Sequence, residues 1–487
     1  MTLADILSNL VIAFNYFVLA YFLVLYLVYG TLITISFVHL LRHMREWSWA
    51  WEWEGSGRLL ASELVQPISI IAPAYNEEKT VVESVRALLA LEYPHYEVIV
   101  VNDGSKDATV QKLVEAFDMF PVMPSFKRDI PCKDVRAMYV SRLHDNLLVV
   151  DKLNGGKSDA LNAGINLSTS PLVCCIDADT LIESDALRRM LRPYLIDPDR
   201  VVAVGASIRI ANGCRVDRGR IVHTGLPDDA IPVFQVVEYL RAFLFGRTAW
   251  NLLGGHLIIS GALGLFRKDL LLEIGGYATD TVGEDMELVT RLHRHCLEKK
   301  RPYVVHFIPD PAGWTEAPDS LKILSKQRDR WQRGLLDTLT RHRKMLFNPR
   351  YGWVGLFTMP FFVFIEALAP LVEIFGLLML AVALLMGAID WEFAGLFLAV
   401  SLGLGVLLSL TSLALEEVSF HRYPRTRDMM RLVLYAILEN FGYRQMTAWW
   451  RLKGTWSFLR GQKQWGKMER KGFGPAPGPK PKLPNPP

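Results

Sequence analysis

At 487 residues the chain is well beyond the roughly 100 to 200 residues of one domain, so more than one folded unit is expected. With 51% hydrophobic and 21% charged residues it falls outside the intrinsically disordered class, and the apolar excess points to surface that faces lipid. Lys and Arg number 54 against 50 Asp and Glu, a net charge of +4, too mild for a protein that coats nucleic acid, and no nucleic-acid partner is expected.

Residues 11 to 40 contain no Asp, Glu, Lys or Arg. A bilayer core needs about 20 apolar residues, so this run predicts a transmembrane helix within an N-terminal unit at 1–55. A cleavable signal peptide fits worse, because the run lacks a basic start and a small-residue cleavage site. Arg42, His43 and Arg45 follow it, which places the N-terminus outside and residue 45 in the cytoplasm.

Between 66 and 345 strand and helix signals alternate. The apolar runs at 68–75, 96–103, 146–151 and 171–179 each end in polar residues, and helical patterns start at Glu77 and Ser158. Such alternation predicts an α/β domain around a parallel sheet, with ligands bound beyond the carboxyl ends of the strands. Five cysteines (Cys132, Cys174, Cys175, Cys214, Cys296), odd in number and without C-x-x-C spacing, predict neither a disulfide framework nor a zinc site and place this part in a reducing compartment.

The strand ends carry the chemistry. Asn76-Glu77 and Asp103-Gly104 offer acceptors for a nucleobase and ribose, or equally a helix cap and a turn. Asp177-Ala178-Asp179 follows an apolar strand, where residues two apart point to one side and would aim two carboxylates at a shared cation; a polar loop is the alternative. Gly155-Gly156-Lys157-Ser158 before a helix offers N–H groups and a cation for phosphate, without the full P-loop form, or equally a glycine turn with a surface lysine. Asp285 of Gly283-Glu284-Asp285 stands in a first helical turn, as a general base or as a carboxylate that complements the helix dipole. Gln327, Arg330 and Trp331 share one helix face suited to a diphosphate and a sugar ring. Arg328 and Arg333 crowd the same segment, so an interfacial anchor is the rival reading.

Beyond 345, an interfacial helix and two transmembrane helices are expected over 346–420, with the second span at 370–389, a turn at Asp390 and Trp391 outside, and the third at 394–415. Residues 421–471 mix Arg and Lys with Trp449, Trp450 and Trp456, as amphipathic interfacial helices do, and 472–487 reads as a disordered Pro-rich tail.

Together the motifs at Asn76-Glu77, Asp103, Asp177-x-Asp179, Glu284-Asp285 and Gln327-x-x-Arg330-Trp331, in that order, resemble the membrane-bound processive glycosyltransferases of family 2, the cellulose, chitin, hyaluronan and poly-N-acetylglucosamine synthases. The resemblance implies a GT-A fold with a Rossmann-like mixed sheet over 66–345, a UDP-sugar donor, and Mg2+ or Mn2+. It implies that Ala74, Tyr75, Glu77 and Asp103 hold the uridine, that Lys157 and Asp177 contact the nucleotide-sugar, and that Asp179 ligates the metal together with Asp177. Asp285 would be the base beside Glu284, and Gln327, Arg330 and Trp331 would bind the diphosphate and the acceptor end. Ser260-Gly261-Ala262, with Leu263, Gly264 and Phe266, resembles the acceptor-lining segment.

The implied protein sits in the plasma or inner membrane with its catalytic domain cytoplasmic. It polymerises N-acetylglucosamine, or alternatively glucose, onto a growing polysaccharide and works with accessory export subunits. The chain lacks an RxxxR then DxSxxG element near its end, so control by a cyclic dinucleotide through it is not expected. Transfer of a single sugar to a lipid or short acceptor, and a catalytically dead membrane scaffold or sensor, are the alternative functions.

Overall fold

A computed structural model describes residues 3–54, 65–217, 219–387, 391–423 and 425–462. The expected Pro-rich tail at 472–487, Asp390 at the expected turn, and the side chains of His43 and Arg45 lie outside the described residues.

The strands are β1 (Ile68–Ala74), β2 (Tyr96–Asn102), β3 (Met119–Val122), β4 (Val135–Ser141), β5 (Leu147–Lys152), β6 (Leu172–Ile176), β7 (Leu181–Ile182), β8 (Val201–Ile210), β9 (Arg215–Asp217), β10 (Arg220–His223), β11 (Leu263–Arg267) and β12 (Val304–Thr315). Ten of them form one sheet in the order β3-β4-β5-β2-β1-β6-β11-β8-β12-β7, while β9 and β10 make a separate hairpin. The four runs read from sequence are its parallel centre, β5-β2-β1-β6. A wholly parallel sheet is not found: β11 runs antiparallel to β6 and β8, and β4 to β5, so the sheet is mixed as the GT-A resemblance implies. Helices cover both faces and bury the apolar residues of the central strands in two layers, one around Ile70 and Val98, the other around Ile71 and Ile99. Chain order reverses at β1, whose neighbours β2 and β6 lie on opposite sides, and the polar strand ends therefore gather at a switch point.

Two local expectations change. The helix expected from Glu77 begins at Val81, because Asn76 takes a positive φ of 57° and residues 77–80 form a turn. Asp177 to Thr180 is likewise a turn, closed by Thr180 N donating to Asp177 O at 3.0 Å, so strand alternation does not set the direction of the two aspartates.

Among the described residues, three helical runs are long and apolar enough to cross a membrane: Ile12–Arg42, Val354–Leu385 and Ala394–Ser419. The second includes the stretch read as interfacial. It stays helical through π-type segments at Val354–Thr358 and Phe361–Ala367, on either side of Pro360, which removes a backbone donor from the ladder. After a break at Phe441 and Gly442, the helix Arg444–Leu459 packs along the helix Leu321–Arg341, with Ser457 Oγ donating to Asp329 Oδ1 at 3.1 Å and Arg451 Nε to Gln332 Oε1 at 2.9 Å. Trp449 and Trp456 remain on its exposed side.

Candidate active site

Loops at the carboxyl ends of β5 and β6 meet the start of the helix Glu284–Glu298 and one face of the helix Leu321–Arg341. A cavity of about 640 Å³ opens there. It brings together Lys157, Asp177, Ser260, Gly261, Ala262, Glu284, Asp285, Gln327, Arg330 and Trp331, which lie far apart in the sequence.

At its centre Lys157 Nζ bridges Asp177 Oδ1 at 2.6 Å and Glu284 Oε1 at 3.1 Å. Burial works to lower the Lys157 pKa, but the two carboxylates outweigh it and hold the ammonium above the ordinary lysine value. Asp285 Oδ2 accepts a bond from Gly261 N at 3.3 Å, and Oδ1 from the Met286 N–H at 2.8 Å. Burial and the like charge of Glu284 raise the Asp285 pKa, against the pull of Lys157 and Arg247. A carboxyl raised in this way is a better proton acceptor at neutral pH than an exposed one. A Cβ on Gly261 would stand 2.8 Å from Lys157 Nζ, so a larger residue there would displace the lysine head.

Trp331 is 42% exposed and presents its ring to the cavity. The guanidinium stacked on it belongs to Arg328, whose Cζ lies 4.3 Å from the ring centroid and whose Nη2 pairs with Glu238 at 2.6 Å. Arg328 is thus buried and positions the indole. Arg333 is buried as well, paired with Asp329 at 2.7 Å and donating to Gln462 O at 3.0 Å. Neither is the interfacial anchor that sequence offered as the rival reading.

The expected uridine group is not part of the cavity lining. Asp103 is saturated: Oδ1 accepts from Lys152 Nζ at 2.7 Å and Gly155 N at 2.9 Å, Oδ2 from Gly156 N at 2.7 Å and Asn154 Nδ2 at 3.1 Å. A carboxylate has about four lone-pair sites, so Asp103 organises the glycine loop that delivers Lys157. Beside it, Ala74 is buried and its O accepts from Asp103 N at 2.9 Å, Tyr75 is half exposed, and Glu77 N donates to Thr109 Oγ1 at 2.9 Å. Asp179 stands two residues beyond Asp177, also outside the lining.

The cavity continues between the membrane-directed helices. Glu366 accepts from Tyr29 OH at 2.7 Å and lies 3.9 Å from Arg451, while Glu373 pairs with Arg444 at 3.2 Å, which itself donates to Tyr26 OH at 3.0 Å. Arg241 pairs with Glu439 and donates to Ser409 Oγ at 2.8 Å. Sequence reasoning missed Glu238, Arg241, Arg247 and His256 in this wall. The run EYLR at 238–241 sits in an amphipathic helix with no motif around it, and only its packing shows the role.

Among the described residues no three His, Cys, Asp or Glu side chains converge as a ready metal site. Asp177 lines the cavity and Asp179 follows two residues later, so a divalent ion held by them would have to complete its shell with substrate phosphates and water, as Mg2+ commonly does.

Residues 69–275 match the profile of Glycosyl transferase family 2. The poly-beta-1,6-N-acetyl-D-glucosamine synthase of Staphylococcus epidermidis is 31% identical over 277 residues, 57% of this chain and 56% of that protein. The synthase of the same name in Staphylococcus aureus strain COL is 28% identical over 278 residues, with the same shares of 57% and 56%. The chain thus spans about half the length of the curated relatives it matches. A mannosyltransferase from Pyrobaculum calidifontis, solved with GDP-Man and Mn2+, aligns at a TM-score of 0.48 and 19% identity over 85% of this chain and 99% of that one, too loosely to carry an argument. Residues 69–275 are thus similar to glycosyl transferase family 2, on a mixed sheet that brings Lys157 and Asp177 to one cavity with Glu284 and Asp285.

Proposed function

We propose that the chain is an inverting synthase that transfers a sugar from a UDP-sugar to the end of a growing β-linked polysaccharide and passes the product between its membrane helices. The observation that carries this is the continuity of the cavity, which runs from Asp177 and Asp285 past Trp331 to Tyr29, Glu366 and Glu373 on the membrane-directed helices.

Asp285 takes the proton of an acceptor hydroxyl, whose oxygen attacks the anomeric carbon as UDP leaves on the opposite face. One displacement inverts the centre, so an α-linked donor gives a β-glycoside. Lys157 and Arg330 offset the charge that grows on the diphosphate, and Trp331 offers a flat surface to the terminal sugar. A divalent cation held by Asp179 and Asp177 would add charge stabilisation at the same diphosphate. N-acetylglucosamine is the first candidate sugar, in keeping with the names of the relatives. Further proposals are a catalytic domain on the cytoplasmic side and accessory export subunits.

Purified protein given UDP-N-acetylglucosamine or UDP-glucose in turn is expected to release UDP with one of them and to lengthen a saccharide by many units. Release halted by chelation and restored by Mg2+ or Mn2+ is the companion result. Products longer by one sugar only would point to single transfer.

One contact tunes this site. Gly283, just before Glu284, touches Gly334 on the helix of Gln327, Arg330 and Trp331, and a Cβ on Gly334 would lie 2.8 Å from Gly283 Cα. Both neighbours are backbone, so the helix must move. Gly334→Ala is expected to cut kcat by up to about 100-fold through misplacement of the two halves of the site, with UDP affinity little changed. Unchanged kcat would show that the spacing is not critical.

A further inference from the structure

Two polar side chains on the cavity wall take no part in the chemistry above. Arg247 closes the π-type helical stretch Ala242–Arg247 and lays its guanidinium over the Phe243 ring, 3.8 Å from the centroid. Its Nη1 is buried without a hydrogen-bond partner. His256 is 2% exposed, with its ring 5.3 Å from that of Phe307, and its Nε2 is also buried and unbonded. Both line the cavity that holds Asp285. Burial, more than the charge of Asp285 can offset, pulls the Arg247 pKa down to about 10, which still leaves it charged at neutral pH. Burial first and then Arg247 push the His256 pKa well below its ordinary value, so its imidazole is neutral.

Buried polar groups in folded proteins almost always have partners, and two unbonded ones on one cavity wall call for a ligand that supplies them. Stacking on Phe243 fixes the guanidinium plane, so its N–H groups point along that plane as donors. Neutral imidazole can accept a hydrogen bond or donate one, according to tautomer. The pair therefore suits a group with an oxygen acceptor next to an N–H or O–H donor, as a sugar offers through adjacent hydroxyls or an acetamido substituent. The wall is also on the membrane side of the site. Trp250, three residues beyond Arg247, packs on Phe361 of the second candidate span at 4.8 Å between ring centroids. Lys157 and Asp177, by contrast, mark the donor side at the strand ends.

We propose that Arg247 and His256 form a subsite for the acceptor saccharide, with Arg247 donating to a sugar oxygen and His256 pairing with a neighbouring hydroxyl or amide of the same unit. This rests on the reading of the cavity as a glycosyl-transfer site. The subsite orients the terminal unit so that its free hydroxyl faces Asp285, and it thereby selects which saccharides are extended.

The test uses the full chain in lipid nanodiscs. Binding of UDP, and of β-linked tetrasaccharides of N-acetylglucosamine and of glucose in the presence of UDP, is measured calorimetrically for wild type, Arg247→Gln and His256→Asn. The expected result is tetrasaccharide affinity lowered about tenfold or more in Arg247→Gln, the worth of a hydrogen bond to a charged group, and lowered in His256→Asn, with UDP affinity within twofold of wild type. A larger loss for the N-acetylglucosamine series assigns the contact to the acetamido group, and an equal loss to hydroxyls. Retained UDP affinity reports that each variant is folded. Tetrasaccharide affinity within twofold of wild type in both variants, loss of UDP and saccharide affinity in step, or no tetrasaccharide binding by wild type would overturn the proposal. Failure of wild type to release UDP from any UDP-sugar strikes the proposed function instead, and the binding comparison still decides the subsite.

Discussion

Asp285→Asn is expected to lower turnover by about 100- to 10,000-fold, the usual share of a positioned base, and to leave UDP affinity within a few-fold of wild type. Asn keeps the shape of the side chain and can still accept from Gly261 N, which lies 3.3 Å from Asp285 Oδ2, so the loss is of the proton acceptor rather than of the local fold. Released UDP and a separate UDP-binding titration check both halves, and turnover near wild type removes the assignment. The pH profile follows from the same environment. Burial and Glu284 raise the Asp285 pKa, and the base works only when ionised. Wild-type activity should therefore fall on the acid side at a pH above that of an ordinary aspartate. Glu284→Gln removes the like charge and leaves Lys157 freer to act on Asp285, so the Asp285 pKa falls and that acid limb should move to lower pH; a limb that stays put or moves up contradicts the assignment.

Lys152→Met is expected to have the largest effect on stability. The ammonium is fully buried and lies 2.7 Å from Asp103 and 2.5 Å from Asp159. Methionine fills the space but leaves two buried carboxylates without their cation, a change that costs about 3–5 kcal/mol when one partner of a buried pair is removed. Asp103 also loses one of the bonds that shape Gly155 and Gly156, so donor affinity should fall with stability. Thermal denaturation of the solubilised protein and UDP binding measure the two effects. Lys152→Arg keeps the charge and should lose less of both, whereas a Lys152→Met protein as stable as wild type would contradict the burial argument.

Much of this was legible in the sequence because the physics is local. The four central strands are short, largely apolar and end in or before polar residues, which marks them as buried parallel strands, and the three apolar runs are set apart by length and lack of charge. Asp177, Asp285 and the Gln327 to Trp331 face were recognisable as residue types in a telling order. What could not be read depends on long-range partners. The antiparallel insertion of β11 between β6 and β8 places Leu263 opposite Ile176, a register that no local pattern announces. Asp103 reads as a free acceptor until the loop 153–156 is folded over it, and Arg328 reads as a membrane-facing cation until Glu238 is brought from another helix. Arg247 and His256 have neither motif nor periodicity, and their meaning lies in polar atoms left unpaired on a shared wall.

The central claim is that transfer and passage share one continuous cavity. The most direct measurement reconstitutes the full chain in sealed vesicles with the catalytic domain outward, adds radiolabelled UDP-sugar outside, and then treats the vesicles with a glycosidase that cannot cross the bilayer. The account predicts labelled polymer of many units protected inside the vesicles until detergent is added. Labelled product that is fully digested before detergent, or that never exceeds one added sugar, would contradict it.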